Sequence, residues 1–135
     1  MIHRQEIFNW AKEQYGTEPE YLWMRTPNYA VLRHGDSGKW YGAVLDIPPS
    51  YIGLPGEEII DILLVKSDPV LIGALLKNEG FFPAYHMSKS NWITILLDGS
   101  VPWEQICDLL SFSYELVTPK RKRSRKKAEN QTEAL

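Results

Sequence analysis

Tyr29-Ala30-Val31-Leu32-Arg33-His34-Gly35-Asp36-Ser37-Gly38-Lys39-Trp40-Tyr41-Gly42-Ala43-Val44-Leu45-Asp46-Ile47 is the stretch on which the fold turns. Tyr29 to Arg33 and Lys39 to Ile47 are rich in β-branched and aromatic residues, and the Gly35-Asp36-Ser37-Gly38 segment between them supplies the backbone freedom of a hairpin turn. A β-hairpin is predicted. Pro48-Pro49 ends its second strand, because proline has no N–H for the ladder. A loop through Gly53-Leu54-Pro55-Gly56 follows.

Upstream, Ile7, Phe8, Trp10, Ala11 and Tyr15 recur at three- and four-residue spacing, which predicts a helix over His3 to Tyr15 that Gly16 stops. Thr17 to Asn28, with Pro19 and Pro27, reads as a connection. Downstream, Ile59 to Val65 is an apolar run of strand length. It stops at Ser67-Asp68-Pro69, where Asp68 can cap a helix whose first position is Pro69. That helix runs to about Asn78, with Val70, Leu71, Ala74, Leu75 and Leu76 expected to pack inward and Gly80 as its stop. Phe81 to Met87 and Trp92 to Leu97 read as two more strands joined by Ser88-Lys89-Ser90-Asn91. A last helix begins near Ser100 to Pro102, carries Trp103, Ile106, Leu109, Leu110, Tyr114 and Val117 on one stripe, and ends at Pro119.

The order is α-β3-α-β2-α. Strands joined by short turns favour an antiparallel sheet with the helices gathered on one face, an α+β two-layer sandwich. A length of 135 residues with 44% apolar content fits one domain, placed at residues 1–119. Residues 120–135 have almost no apolar content and are expected to be disordered.

The net charge of −2 is unevenly spread. Residues 1–119 carry 8 Lys and Arg against 15 Asp and Glu, and residues 120–135 carry 7 against 2. The body is acidic and the tail basic, so the body cannot bind a phosphate backbone by bulk charge. No apolar run approaches membrane-spanning length and the N-terminal residues lack a signal-peptide core, so a cytoplasmic protein is expected, with a monomer as the default. The single cysteine, Cys107, excludes an intramolecular disulfide and a cysteine-based zinc cluster within one chain.

Pro83-Ala84-Tyr85-His86-Met87-Ser88-Lys89-Ser90-Asn91-Trp92 resembles the "YHMNKxHW" signature of the MmcQ/YjbR family, with Ser88 and Asn91 standing where that family has Asn and His. Lys39-Trp40-Tyr41, Lys66-Ser67-Asp68-Pro69, Leu97-Asp98-Gly99 and Ser113-Tyr114-Glu115-Leu116-Val117 agree in order over most of residues 3–119. The resemblance implies a CyaY-like fold, a bacterial source and DNA binding through hairpin wings. By analogy with frataxins the fold raises iron binding, but the first helix offers only Glu6 and Glu13, and no metal is expected.

On the wing reading, Lys89 meets phosphate while His86 and Asn91 hydrogen-bond base or sugar, and Arg33 and Lys39 form a second small basic patch beside His34. The plainer reading is two solvated turns. Lys120, Arg121, Lys122, Arg123, Arg125, Lys126 and Lys127 make the strongest electrostatic feature, able to release counterions from nucleic acid. Trp10 and Trp103 are expected in the core, and Trp40 and Trp92 could stack bases if exposed. Cys107 reads as a buried thiol. No nucleophile–base pairing, metal spacing, P-loop or dinucleotide fingerprint occurs, so neither catalysis nor a cofactor is expected. Two functions remain open. One is a non-enzymatic DNA-binding module. The other is a protein-interaction or small-ligand domain using the sheet surface around Tyr85, His86 and Trp92.

Overall fold

The computed structural model describes residues 1–120, so Arg121, Lys122, Arg123, Arg125, Lys126 and Lys127, and with them the expected disorder of the tail, lie outside the described residues. The elements are α1 (Arg4–Tyr15), β1 (Ala30–Arg33), β2 (Trp40–Ile47), a 3-10 turn (Pro49–Ile52), β3 (Ile60–Lys66), α2 (Pro69–Leu75), β4 (Phe81–Pro83), β5 (Trp92–Leu96) and α3 (Trp103–Leu116). The strands form one sheet in the order β1-β2-β3-β5-β4, antiparallel throughout.

All three helices lie on one face. Ile7, Phe8 and Ala11 of α1, Ile72 and Leu75 of α2, and Ile106, Leu109 and Leu110 of α3 share a core with Ala30, Leu32, Val44, Leu63, Val65, Ile93 and Ile95 of the sheet. The opposite face is also apolar: Val31, Ala43, Leu45, Ile47, Ile62 and Leu64 form a second cluster with no α-helix of the described residues over it. Strands apolar on both faces explain the nearly continuous apolar run from Ile59 to Val65, interrupted by Asp61. Three connecting segments cover the second face, contributing Tyr29, Ile52, Ala84, Tyr85 and Met87.

Three expectations are corrected. In α2 Leu75 and, partly, Leu71 pack inward as expected and are joined by Ile72, whereas Val70 is 85% exposed, Leu76 39%, and Ala74 also faces water. The helix is only two turns long, so packing against one core line selects Ile72 and Leu75 and leaves Val70 in water. The strand expected over Phe81 to Met87 ends at Pro83, which has no N–H to continue the ladder, and His86 adopts a left-handed φ of 59°. Trp10 and Trp103 pack on the helix-side core as expected, but Cys107 is only half-buried. Its thiol is held above the usual range by burial, with Asp108 and Glu104 adding to the effect.

Polar contacts tie the layers. Arg4 is bidentate on Asp61, through Nε at 2.9 Å and Nη2 at 2.8 Å, and its Nη1 donates to the Asn28 carbonyl at 2.6 Å. Asp61 faces Asp46 across β2 and β3, so the guanidinium offsets a like-charge cross-strand pair. The side-chain hydrogen bond to Asp61 is the main cause of the raised Arg4 pKa.

The β1–β2 register jumps. Leu32 faces Gly42 but Arg33 faces Trp40, leaving Tyr41 as an extra residue in β2, a β-bulge. Tyr41 turns to the helix side, fully buried, and its hydroxyl donates to Thr17 Oγ1 at 2.6 Å. Burial pushes its phenol up to about 12, although the hydrogen bond to Thr17 opposes the shift. A folded pKa above the unfolded value of 10 gives stability that is complete below pH 10 and is lost as pH rises through 12. Two pH units correspond to about 2–3 kcal/mol. Urea unfolding at pH 9 and pH 12 is expected to show native stability falling by about that much relative to Tyr41→Phe; parallel losses in both proteins would assign the alkaline effect to other groups.

Candidate functional site

The bulge that sends Tyr41 toward the helices sends Trp40 the other way, onto the helix-free face with Ala43 and Leu45. The bulge is held by α3. Ser113 Oγ accepts from the Lys66 N–H at 2.9 Å and donates to the Tyr41 carbonyl at 2.6 Å, bridging β3 and β2 beyond their last paired residues, Gly42 and Val65.

The connection 84–91 folds back across this same face. The left-handed turn at His86 lets Tyr85 and Met87 both reach the sheet, and histidine is among the few non-glycine residues that tolerate such a φ. Lys89 closes the loop, its amine donating to the Ala84 carbonyl at 3.1 Å. From the other side the segment before β1 brings Trp23 and Tyr29. Their rings meet at 77°, and Trp23 meets Trp40 at 88°, with centroids 6.1 and 5.7 Å apart.

These elements enclose a groove of about 350 Å³. Its walls are Trp23, Tyr29, Trp40, Tyr85, His86 and Met87, with Thr26 at one side, and its floor is Ala43, Leu45 and Leu64. Burial holds the Tyr29 phenol above its ordinary value, and that of Tyr85 likewise. Tyr51 stacks on Tyr85 at 5.5 Å. Tyr85 and His86 form the ridge between this groove and a neighbouring hollow lined by Tyr51, Phe82 and Lys89.

Of the wing cations Arg33, Lys39 and Lys89, Arg33 is ion-paired. Arg33 Nε pairs with Glu20 at 3.0 Å and its Nη1 donates to the Gly38 carbonyl, which holds the β1–β2 turn. His34, only 2% exposed, stacks on Tyr114 at 4.2 Å, and Tyr114 stacks in turn on Tyr15 at 3.6 Å. The His34 Nδ1 accepts the Asp36 and Ser37 N–H groups, so Nε2 carries the proton it shares with Thr118 Oγ1. Lys39 is exposed. Asn91 lies exposed, its side chain 3.4 Å from Ser88 Oγ, and its carbonyl accepts from Ser67 N–H. Lys120 is exposed beyond α3.

Of the sheet-surface candidates, Tyr85 and His86 line the groove, while Trp92 packs on the same face outside it. The walls missed in the sequence are Trp23, Tyr29 and Met87. Aromatic crowding in the proline-bounded segment 17–28, with Tyr21 and Trp23, was the available signal. Among the described residues no three His, Cys, Asp or Glu side chains converge as a metal site, and no helix is long and apolar enough to cross a membrane.

The profile of the YjbR family matches residues 12–116, which contain every wall of the groove. The chain belongs to the YjbR family. A YjbR relative, the uncharacterized protein YyaQ of Bacillus subtilis, is 42% identical over 116 residues, covering 86% of this chain and 98% of YyaQ. A crystal structure of a Pseudomonas syringae protein is 40% identical, covers 87% of this chain and 100% of its own, and superposes with a TM-score of 0.84. A Deinococcus radiodurans protein of known structure is 26% identical, with a TM-score of 0.70 over 94% of this chain and 88% of its own. In this YjbR chain the segments that carry the family likeness meet in space: Trp40 and Tyr85-His86-Met87 at the groove, Tyr41 and Ser113 at the bulge behind it.

Proposed function

We propose that this YjbR protein is a non-enzymatic binding module whose ligand occupies the aromatic groove on the helix-free face of the sheet. One observation carries the reading: three separate chain segments each send aromatic or thioether side chains over two central strands and leave an apolar hollow there. A sheet built only for stability would close such a face, since apolar surface gains by burial. Filling the floor is the direct test. Ala43→Leu places a larger side chain beneath Trp40 and is expected to weaken binding of small apolar and aromatic fragments about tenfold. The readout is NMR shifts at Trp23, Trp40 and Tyr85 in a fragment titration. Fragments that shift other surfaces, or bind the variant equally, would remove the groove from the mechanism.

DNA contact is a second reading, supported by the charge of residues 120–127 and by where the described chain ends. Thr118 hydrogen-bonds His34 beneath the β1–β2 turn, so Lys120, two residues on, lies at the end of the sheet that carries Lys39. Binding of duplex DNA by the full chain is then expected to fall steeply with salt. Ending the chain at Pro119 should abolish it. Lys89→Ala should leave it unchanged, since Lys89 already serves the Ala84 carbonyl. Fluorescence anisotropy at two salt concentrations checks this; salt-independent binding, or full binding by the truncated body, would reject the tail as the contact.

A further inference from the structure

We propose that the groove is an aromatic cage for a quaternary ammonium group, a deepening that rests on the groove being the ligand site. The ring directions are the first ground. Trp23 stands nearly perpendicular to both Tyr29 and Trp40, so the walls turn toward different directions. A planar ligand can lie parallel to only one of two perpendicular walls. A compact, nearly spherical cation is instead attracted by ring faces from several sides, the arrangement that serves choline-type and methylated-lysine ligands.

The polar inventory is the second ground. The walls and floor carry no Lys, Arg, Asp or Glu. A primary ammonium brings three N–H donors that need acceptors, and an unmade hydrogen bond in an apolar site is costly. Against three donors the lining offers no carboxylate, only the Thr26, Tyr29 and Tyr85 hydroxyls and the His86 imidazole. A tetraalkylated nitrogen has no N–H to satisfy, and its methyl groups meet Leu45, Leu64 and the Met87 thioether as ordinary apolar surface.

Charge is the third. Residues 1–119 hold 15 acidic against 8 basic side chains, so the body attracts cations and repels anions. Asp46 accepts from the side chain of Asn28, the chain neighbour of the wall residue Tyr29, at 3.0 Å. Attraction from such a carboxylate adds to the ring quadrupoles without supplying the close hydrogen-bonding contact a primary amine would require.

The test uses the full chain and three probes: choline, its neutral isostere 3,3-dimethylbutanol, and ethanolamine. Binding is followed by tryptophan fluorescence and by NMR shifts at Trp23, Trp40 and Tyr85. Choline is expected to bind about tenfold more tightly than the isostere, and ethanolamine to bind more weakly than choline. Trp23→Leu should reduce choline affinity several-fold while leaving unfolding by urea nearly unchanged, because Trp23 is 40% exposed on a connecting segment. Trp40→Phe should retain part of the affinity that Trp40→Leu loses. Equal binding of choline and the isostere would overturn the cage while leaving the groove as an apolar ligand site. Absence of choline binding where aromatic fragments still bind would do the same. No response at the groove to any probe or fragment would overturn both the cage and the site.

Discussion

Replacing Ser113 by alanine is expected to lower the free energy of unfolding by about 2–3 kcal/mol and to disturb the groove on the far side of the sheet. The hydroxyl is fully buried and satisfies two backbone groups at once, the Lys66 N–H and the Tyr41 carbonyl. Each buried group left unpaired costs about 1–3 kcal/mol, and partial closure of β2 on β3 recovers some of the sum. That closure would remove the extra residue from β2, and one residue of slip moves side chains to the opposite face. Trp40 would then leave the groove wall. Urea unfolding with a paired NMR spectrum checks both effects. Ser111→Ala, on the same helix with a half-buried side chain, should stay within about 0.5 kcal/mol. A Ser113→Ala protein as stable as the parent, with unmoved Trp40 resonances, would show that the strands hold the bulge without α3.

Gly80→Ala is expected to cost about 3 kcal/mol or more. Gly80 adopts φ +90° immediately before β4, and an added Cβ would lie 2.5 Å from Ser100 Oγ and 2.6 Å from Val101 Cγ2. The left-handed backbone alone costs a non-glycine residue about 1–3 kcal/mol. Forcing a methyl into packed surroundings adds about 1–3 more. Ser100 can rotate aside, but Val101 is β-branched and 1% exposed, so relief requires the start of α3 to shift. The Gly80 carbonyl also accepts from the Leu96 N–H at 2.8 Å, placing the strain at the entry to the strand that leads to Tyr85. The contrasting variant is Gly73→Ala. Gly73 lies inside α2 with open space at its Cβ position and is expected to gain about 0.5–1 kcal/mol. Thermal unfolding of the two variants should therefore move in opposite directions; a Gly80→Ala protein near parental stability would mean that the α3 entry yields readily.

The sequence by itself determined the order of elements, the antiparallel α+β architecture and the family. Those rest on local chemistry. Helical spacing in Ile7, Phe8 and Ala11, the glycine-rich turn before Lys39, Asp68 capping the helix that Pro69 opens, and the prolines that stop strands all act within a few residues of themselves. Asp68 does accept from the Leu71 N–H, at 2.8 Å. The tertiary structure decided which face each side chain serves. Plain alternation would put Tyr41 on the layer of Ala43 and Trp40 toward the helices, but a single extra residue in the ladder, its Tyr41 carbonyl bridged by a serine 72 residues away, exchanges them. Arg33, His34 and Lys89 read alike in sequence as polar turn residues. Only packing committed them to Glu20, Tyr114 and the Ala84 carbonyl and left the aromatic side chains of distant segments to form the site. Pairing across the sheet depends on partners far apart in sequence, whose choice is made by burial of the whole core rather than by the propensity of any one segment.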